Sequence, residues 1–281
     1  MITSSLLSDI TDRIASTSDS PALDASVLLA HITDKPRTWV MAHPELILTS
    51  KQQEQLEASL IRLESGEPFP YVLGHWEFYG MDFNITPDVL IPRPETELLV
   101  EKAIAWMQAS KSRQTAADVG TGSGIIAVSI ATHIPTARLL ATDISPQALS
   151  VARDNAQKHN VSDRINFVQC DILPTDISTE GHLDLLCANL PYIPTEILHN
   201  LSVYGHEPTL ALDGGADGLD IFRKLMKIAP NWMATDSLIL LEIESTLGIQ
   251  ALSLAYDMFS NAKIHLHKDL TGRDRLLEIR L

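Results

Sequence analysis

The residues best suited to chemistry are Asn189-Leu190-Pro191-Tyr192, the run Gly120-Thr121-Gly122-Ser123-Gly124, and Asp143 between them. An Asn side-chain oxygen accepts a hydrogen bond from one N–H of a planar amino or amide group. The Leu190 carbonyl can accept from the other. Pro191 stiffens the turn, because its φ is fixed and it carries no N–H. Tyr192 can lie as a flat wall against the held plane. The glycine run lets a ligand approach the backbone, and free amides at a helix start favour an anionic group. Asp143, 23 residues after Gly120, can accept from both hydroxyls of a ribose. Asp118 suits a cationic amino end, Asp171 an adenine amino group, and Ile172 the face of the ring.

A dinucleotide and S-adenosyl-methionine are both candidates for such a site. The dinucleotide fingerprint is Gly-x-Gly-x-x-Gly, and here the third glycine comes one place early. That favours S-adenosyl-methionine, held by Asp118, Gly120, Thr121, Gly122, Ser123, Gly124, Asp143, Asp171, Ile172 and Asn189. With the turn from Asn189 to Tyr192 as the catalytic and substrate-binding element, the expected chemistry is methyl transfer to nitrogen. The plainer readings are a strand-to-helix turn for the glycines and an Asx-type turn for Asn189. They lose weight because Asp143 ends the next strand and the Asn turn ends the fourth.

These residues need a framework, and the chain supplies an α/β pattern. Residues 1–68 read as a small helical bundle. Ser20-Pro21 makes an N-cap and first-turn pair, and Ser50-x-x-Gln53 reads as a capping box before Leu56, Leu60 and Leu63. Residues 69–93 carry Pro70, Gly74, Gly80 and a cluster of aromatics, and read as a β-hairpin linker. Residues 94–281 alternate strand and helix. The strand candidates are 115–119, 138–142, 165–169, 183–188, 237–243, 263–267 and 276–280. Helices start near Glu95, Gly124, Pro146 and Leu219, with a shorter one near Thr246. Such alternation predicts a parallel sheet with helices on both faces, a Rossmann-like fold of seven strands. The last two strands have too short a connection for a crossover and pair antiparallel.

Composition narrows the function classes. The chain has 281 residues, 45% of them hydrophobic, and a formal charge of −15. That charge argues against a broad phosphate-binding surface and so against direct nucleic-acid binding. Cys170 and Cys187 sit in apolar runs as buried thiols of a reducing compartment, with no second ligand at metal spacing. Met1–Ser8 lacks the pattern of a signal peptide, and no apolar run reaches membrane length. The expectation is a cytoplasmic protein with no metal and no membrane contact. His265 and His267 share a strand face, read as exposed sheet rather than a metal site. Arg93, Glu95 and Glu97 read as helix capping and ion pairing, and Glu207-Pro208 and Asp217 as shaping a loop over the site.

The chain resembles the PrmC/HemK family of protein-(glutamine-N5) methyltransferases over nearly its whole length. The resemblance rests on Val89-Leu90-Ile91-Pro92-Arg93-Pro94-Glu95-Thr96-Glu97, the run 118–124, Glu207-Pro208 and Gly214-Gly215-Ala216-Asp217-Gly218-Leu219. It continues in Leu241-Glu242-Ile243, Asp269-Leu270 and Gly272-Arg273. The glycine loop marks any class of methyltransferase; the stretch from Ile91 to Glu97 is far more specific. The resemblance implies a helical substrate-recognition domain, a hairpin linker and a class I methyltransferase domain. It implies that the methyl acceptor is the side-chain amide of the glutamine in the Gly-Gly-Gln loop of peptide chain release factors, so the modification would tune translation termination. Two positions depart from the family pattern. Leu190 stands where proline is usual, keeping the carbonyl but losing a φ restraint. Glu244 stands where glycine is expected.

Three other readings compete. Glutamine methylation of a ribosomal protein shares the chemistry, but the Arg-Pro-Glu-Thr-Glu run favours the release-factor branch. DNA adenine N6-methylation needs base flipping and a basic surface that the charge does not supply. A cofactor-binding adaptor without catalysis would not need Asn189, Pro191 and Tyr192 together.

Overall fold

The structure, a computed structural model, describes residues 3–174 and 183–281; Met1 and Ile2, part of the N-terminal stretch read above, lie outside them. The chain divides into two compact units, Met1–His75 and Trp76–Leu281.

The first unit is helical: α1 (Thr3–Ile14), α2 (Pro21–Thr33), α3 (Arg37–Ala42), α4 (Ser50–Glu64) and α5 (Phe69–Leu73). Ile10 and Ile14 of α1, Leu28 and Leu29 of α2, and Leu56, Leu60 and Leu63 of α4 are all buried. Helical spacing puts each set on one stripe, and the stripes close on one another. Arg13 fastens α1 to α4 through Glu57 and Glu64. The capping box lies one residue earlier than the sequence reading. Thr49 accepts from the Gln52 amide, and the Gln52 side chain accepts from Thr49 N. Ser20 holds the N-cap position of α2, but its side chain makes no capping bond, so Pro21 is the start signal that acts.

A hairpin of β1 (His75–Phe78) and β2 (Met81–Asn84) comes next; it is shorter than the 69–93 expected for it, because Phe69–Leu73 forms the helix α5 after Pro68. Tyr79 and Gly80 both have positive φ, 52° and 69°. That pair of dihedrals is what a two-residue turn needs to match the twist of its strands.

The rest alternates as expected: α6 (Thr96–Gln108), β3 (Thr115–Val119), α7 (Ile125–His133), β4 (Arg138–Asp143), α8 (Pro146–Lys158), β5 (Ile165–Gln169), β6 (Leu183–Ala188), α9 (Thr195–Leu198), α10 (Asp220–Trp232), β7 (Met233–Glu242), α11 (Gly248–Met258), β8 (Lys263–Lys268) and β9 (Asp274–Arg280). The seven-stranded sheet has the order β5-β4-β3-β6-β7-β9-β8. All pairings are parallel except those of β9 with β7 and β8. Two readings need adjusting. β7 starts at Met233, four residues before the expected 237. The helix near Thr246 is a short 3-10 turn running into the longer α11.

Both faces of the central strands are covered. Ala117 and Val119, Leu186 and Ala188, Ile239 and Leu241, and Leu277 and Ile279 pack with Phe222, Leu225 and Met226 of α10 and Ala251 and Ala255 of α11. The alternate residues Ala116, Leu185, Cys187, Leu238 and Leu240 are equally buried, and α6 packs on β6 and β7, α7 on β3 and β4, and α8 on β4 and β5. Strands buried on both faces read as continuous apolar runs, which is why the sequence showed them clearly. Asp184 ties β3 to β6 by accepting from the amides of Gln114 and Thr115 and from the Thr115 hydroxyl.

Candidate active site

The strand order reverses between β3 and β6, and a crevice opens beyond the carboxyl ends of strands at such a point. A cavity of about 320 Å3 lies there, within the usual size range of small-ligand sites. Of the residues singled out by sequence, Gly120, Thr121, Gly122, Ser123, Asp143, Asp171, Ile172, Asn189, Leu190 and Pro191 line it. Asp118, Gly124 and Tyr192 do not.

The glycine loop is held down by β4. Thr121 N donates to Thr142 O at 2.8 Å, and Gly122 N to Asp143 Oδ2 at 2.9 Å. The other Asp143 oxygen accepts from Ser145 N at 2.9 Å, while Ser145 Oγ caps α8 by accepting from Ala148 N. Burial raises the Asp143 carboxyl above its usual range, against the opposing pull of those amides. Gly122 has φ +55°, and a Cβ placed there meets nothing within 4 Å. The space over it is therefore open to a ligand. Gly124 serves packing instead, since a Cβ there would meet Ala152 of α8 at 3.1 Å.

Asp118, expected to hold the donor's amino end, stands off the cavity lining. Its carboxylate is fully buried behind the loop rather than facing the cavity. Oδ2 accepts from the Thr121 hydroxyl at 2.6 Å and from Ala127 N at 3.1 Å, so it braces the loop and the start of α7. Burial drives its pKa up to about 7. Asp118 is the next-to-last residue of β3, and its other oxygen, Oδ1, is buried without a hydrogen-bond partner.

The far wall comes from the β5 end and from α10. Ile172 has φ 73°, rare for a β-branched residue. Its carbonyl is pinned by the Thr142 hydroxyl at 2.6 Å. The strained backbone turns this residue into the cavity lining, beside Asp171, and Lys224 stands 3.6 Å from Asp171. Nothing in the sequence singled out Lys224 or Ile221, because both lie on a helix face that reads as ordinary amphipathic surface.

The segment from Asp88 to Arg93 forms another wall. Glu207 fixes it: its buried carboxylate accepts from Ile91 N at 3.1 Å and pairs with Arg93. Asn155, buried in α8, bridges Ser123 O and the backbone of Asn84, and so couples the glycine loop to β2.

The turn after β6 separates this cavity from a smaller one of about 90 Å3. Leu90, Arg93, Asn189, Leu190 and Ala211 line both, and Tyr192 lines only the smaller. The Leu190 side chain packs on the glycine loop: a Cβ on Gly120 would lie 3.0 Å from Leu190 Cδ2. Leucine thus fills a place against that glycine. The backbone of Pro191 and Tyr192 rests on Gly214, where a Cβ would come within 2.7 Å of Tyr192 Cα. Burial raises the Tyr192 hydroxyl pKa, and the nearby Glu242 adds to the effect. The second departure, Glu244, caps the 3-10 turn by accepting from Thr246 N at 2.6 Å and Ser245 Oγ at 2.8 Å.

Among the described residues no group of three or more His, Cys, Asp or Glu is placed to hold a metal, and no helix is long and apolar enough to cross a membrane. His267 pairs with Glu278 at 2.9 Å.

A seven-stranded sheet with its last strand inserted antiparallel, and a cavity at the switch between β3 and β6, makes the second unit a class I methyltransferase domain. Solved structures share this fold. The catalytic domain of hMettl16 superposes with a TM-score of 0.55 at 12% identity, covering 81% of each chain. A ribosomal protein L11 methylase from Lactobacillus delbrueckii subsp. bulgaricus gives 0.50 at 22% identity, over 69% of this chain and 82% of that one. The PrmC N-terminal domain family matches residues 5–74, and the ribosomal protein L11 methyltransferase family matches residues 98–203. A release factor glutamine methyltransferase from Moorella thermoacetica is 40% identical over 258 residues, 92% of this chain and 90% of that one. One from Coxiella burnetii is 38% identical over 275 residues, 97% of this chain and 96% of that one. The chain belongs to the release factor glutamine methyltransferase family.

Proposed function

We propose that this protein transfers a methyl group from S-adenosyl-methionine to the side-chain amide nitrogen of the glutamine in the Gly-Gly-Gln loop of peptide chain release factors. The observation that carries this reading is the placement of Asn189 and Leu190, which line both the larger and the smaller cavity. A ligand in each would meet at that turn.

The larger cavity fits the methyl donor in size and in its mix of groups. Asp143 offers acceptors to ribose hydroxyls, Asp171 and Ile172 an edge and a face to the adenine, and Gly120 to Ser123 a close backbone. When bound, S-adenosyl-methionine supplies an electrophilic methyl on a cationic sulfur. Everything else falls to the chain. Asn189 Oδ1 and the Leu190 carbonyl accept from the two N–H groups of the substrate carboxamide and fix its plane. Pro191 limits the turn's freedom, and Tyr192 closes the smaller cavity around the amide. Alignment of this kind is worth roughly 7–11 kcal/mol of barrier. An amide nitrogen that has gained a methyl sheds its proton readily, so no strong base is required.

Labelled donor, offered with purified release factor, ribosomal protein or duplex DNA, tests the reading. Label is expected in the release factor. Label confined to ribosomal protein or DNA, or found in none, would overturn it. The helical first unit is the part proposed to recognise the protein substrate, because the turn itself contacts only a few atoms.

A further inference from the structure

Asn189 can serve as an acceptor only if its carboxamide is turned the right way. A carboxamide has an oxygen and a nitrogen of nearly equal size, and nothing in its shape favours one orientation. The groups behind it must decide. Asn189 Nδ2 donates to Thr96 Oγ1 at 3.2 Å. Thr96 is fully buried at the first position of α6. Behind both lies Glu242, the last residue of β7, 1% exposed. The sheet register explains its place: Ala188 pairs with Leu241, so Glu242, which ends β7, stands level with Asn189, the first residue after β6.

Neither Glu242 oxygen has a hydrogen-bond partner of good geometry. A buried carboxylate left so is costly and calls for an explanation. The groups facing it are Thr96 from α6 and Glu95 just before that helix, Asn189 and Tyr192 from the turn after β6, and Arg275 from β9. Arg275 is shared with Asp269 at 3.4 Å and Glu95 at 4.0 Å. An ionised carboxylate only accepts hydrogen bonds. It therefore draws the Thr96 hydroxyl proton and the Asn189 NH2 toward itself, and no rival donor group of Glu242 can hold the Asn189 oxygen inward.

We propose that Glu242 and Thr96 are positioning residues that fix the Asn189 carboxamide with its nitrogen turned into the protein and its oxygen toward the substrate. This rests on the reading of the chain as a glutamine methyltransferase. The orientation holds while Glu242 is ionised. Burial sets its pKa near neutrality, at about 7. Once protonated, the acid gains an O–H that can donate to Asn189 Oδ1 and turn the amide over. The rate then acquires an acid limb that belongs to Glu242.

The test is steady-state methylation of a purified release factor, with donor binding measured by calorimetry. Glu242→Gln keeps the shape but adds an NH2 donor at every pH. It is expected to lower kcat by roughly 10-fold or more, the scale of a misplaced reacting group, with donor affinity held within about 2-fold and the acid limb gone. Thr96→Val is expected to lower kcat similarly, and Thr96→Ser to recover at least half of the loss. A Glu242→Gln enzyme with wild-type kcat and an unchanged acid limb would overturn the proposal while leaving the activity reading intact. A wild-type protein that leaves glutamine unmethylated would overturn both.

Discussion

At the scale of single residues, the account divides the site between atoms that hold the donor and atoms that hold the acceptor. Asn189→Ala removes one acceptor for the substrate amide but leaves the cavity walls standing. Transfer is expected to fall on the order of 100-fold or more, the effect of losing one preorganised hydrogen-bonding group at a reacting centre. Calorimetry should show donor binding little changed. Gly122→Ala does the reverse. Its Cβ projects into the open space over the loop at φ +55°, which costs about 1–2 kcal/mol in backbone strain and obstructs the ligand. Donor affinity should drop at least tenfold, read by the same titration. The sequence made the acceptor turn and the glycine loop legible because their residue types are rare in combination. Glu242 and Thr96 stand in stretches that carry the family resemblance, yet no role could be read for either, because a Glu in a strand and a Thr at a helix start are ordinary surface choices until burial is known. The sequence did not show that Asp118 stands off the cavity lining, since spacing alone cannot say which side of the sheet a side chain near a strand end faces.

At the scale of elements, the sheet was readable because its central strands are apolar on both faces, while the strand ends were not. β7 was expected from 237, where the run of Leu238–Leu241 begins. Its first residues include exposed Thr235 and Asp236 and carry no alternating signal. The capping box slipped by one because Ser50 and Thr49 are adjacent and either could have been the cap. Replacing Thr49 by Ala is expected to cost about 1 kcal/mol of stability, measurable by urea denaturation, whereas Ser50→Ala should cost little. The segment Asp88–Arg93 depends on Glu207. Glu207→Ala leaves Ile91 N without its partner and frees Arg93, an expected loss of about 1–3 kcal/mol. Since that segment lines the donor cavity, donor affinity should fall in the same variant, which separates a latch from a bystander.

At the scale of the whole molecule, two features set the response to pH and salt. Burial raises the carboxyls of Asp118 and Glu242 from 3.8 and 4.5 to about 7. The folded protein binds these protons more tightly than the unfolded chain does. Their contribution to stability is therefore fully present below about pH 4 and is lost as pH rises through about 7. Thermal unfolding at fixed ionic strength should show Tm falling from pH 5 to pH 8, with a shallower slope in Glu242→Gln. Asp217 and Asp269, lowered to about 2 by their hydrogen bonds, act with the opposite sign but only below that window. The formal charge of −15 predicts no salt-sensitive binding to duplex DNA. Fluorescence titration with a labelled duplex at low salt should give no saturable signal.

The central claim is that one turn directs a carboxamide at a methyl donor lodged beside the glycines. A crystal of the protein grown with S-adenosyl-homocysteine and a Gly-Gly-Gln peptide measures it most directly. The account predicts the nucleoside against Asp143 and Ile172, with the glutamine nitrogen donating to Asn189 Oδ1 and the Leu190 carbonyl. A nucleoside seated elsewhere, or a glutamine side chain that bypasses residues 189–192, would contradict it.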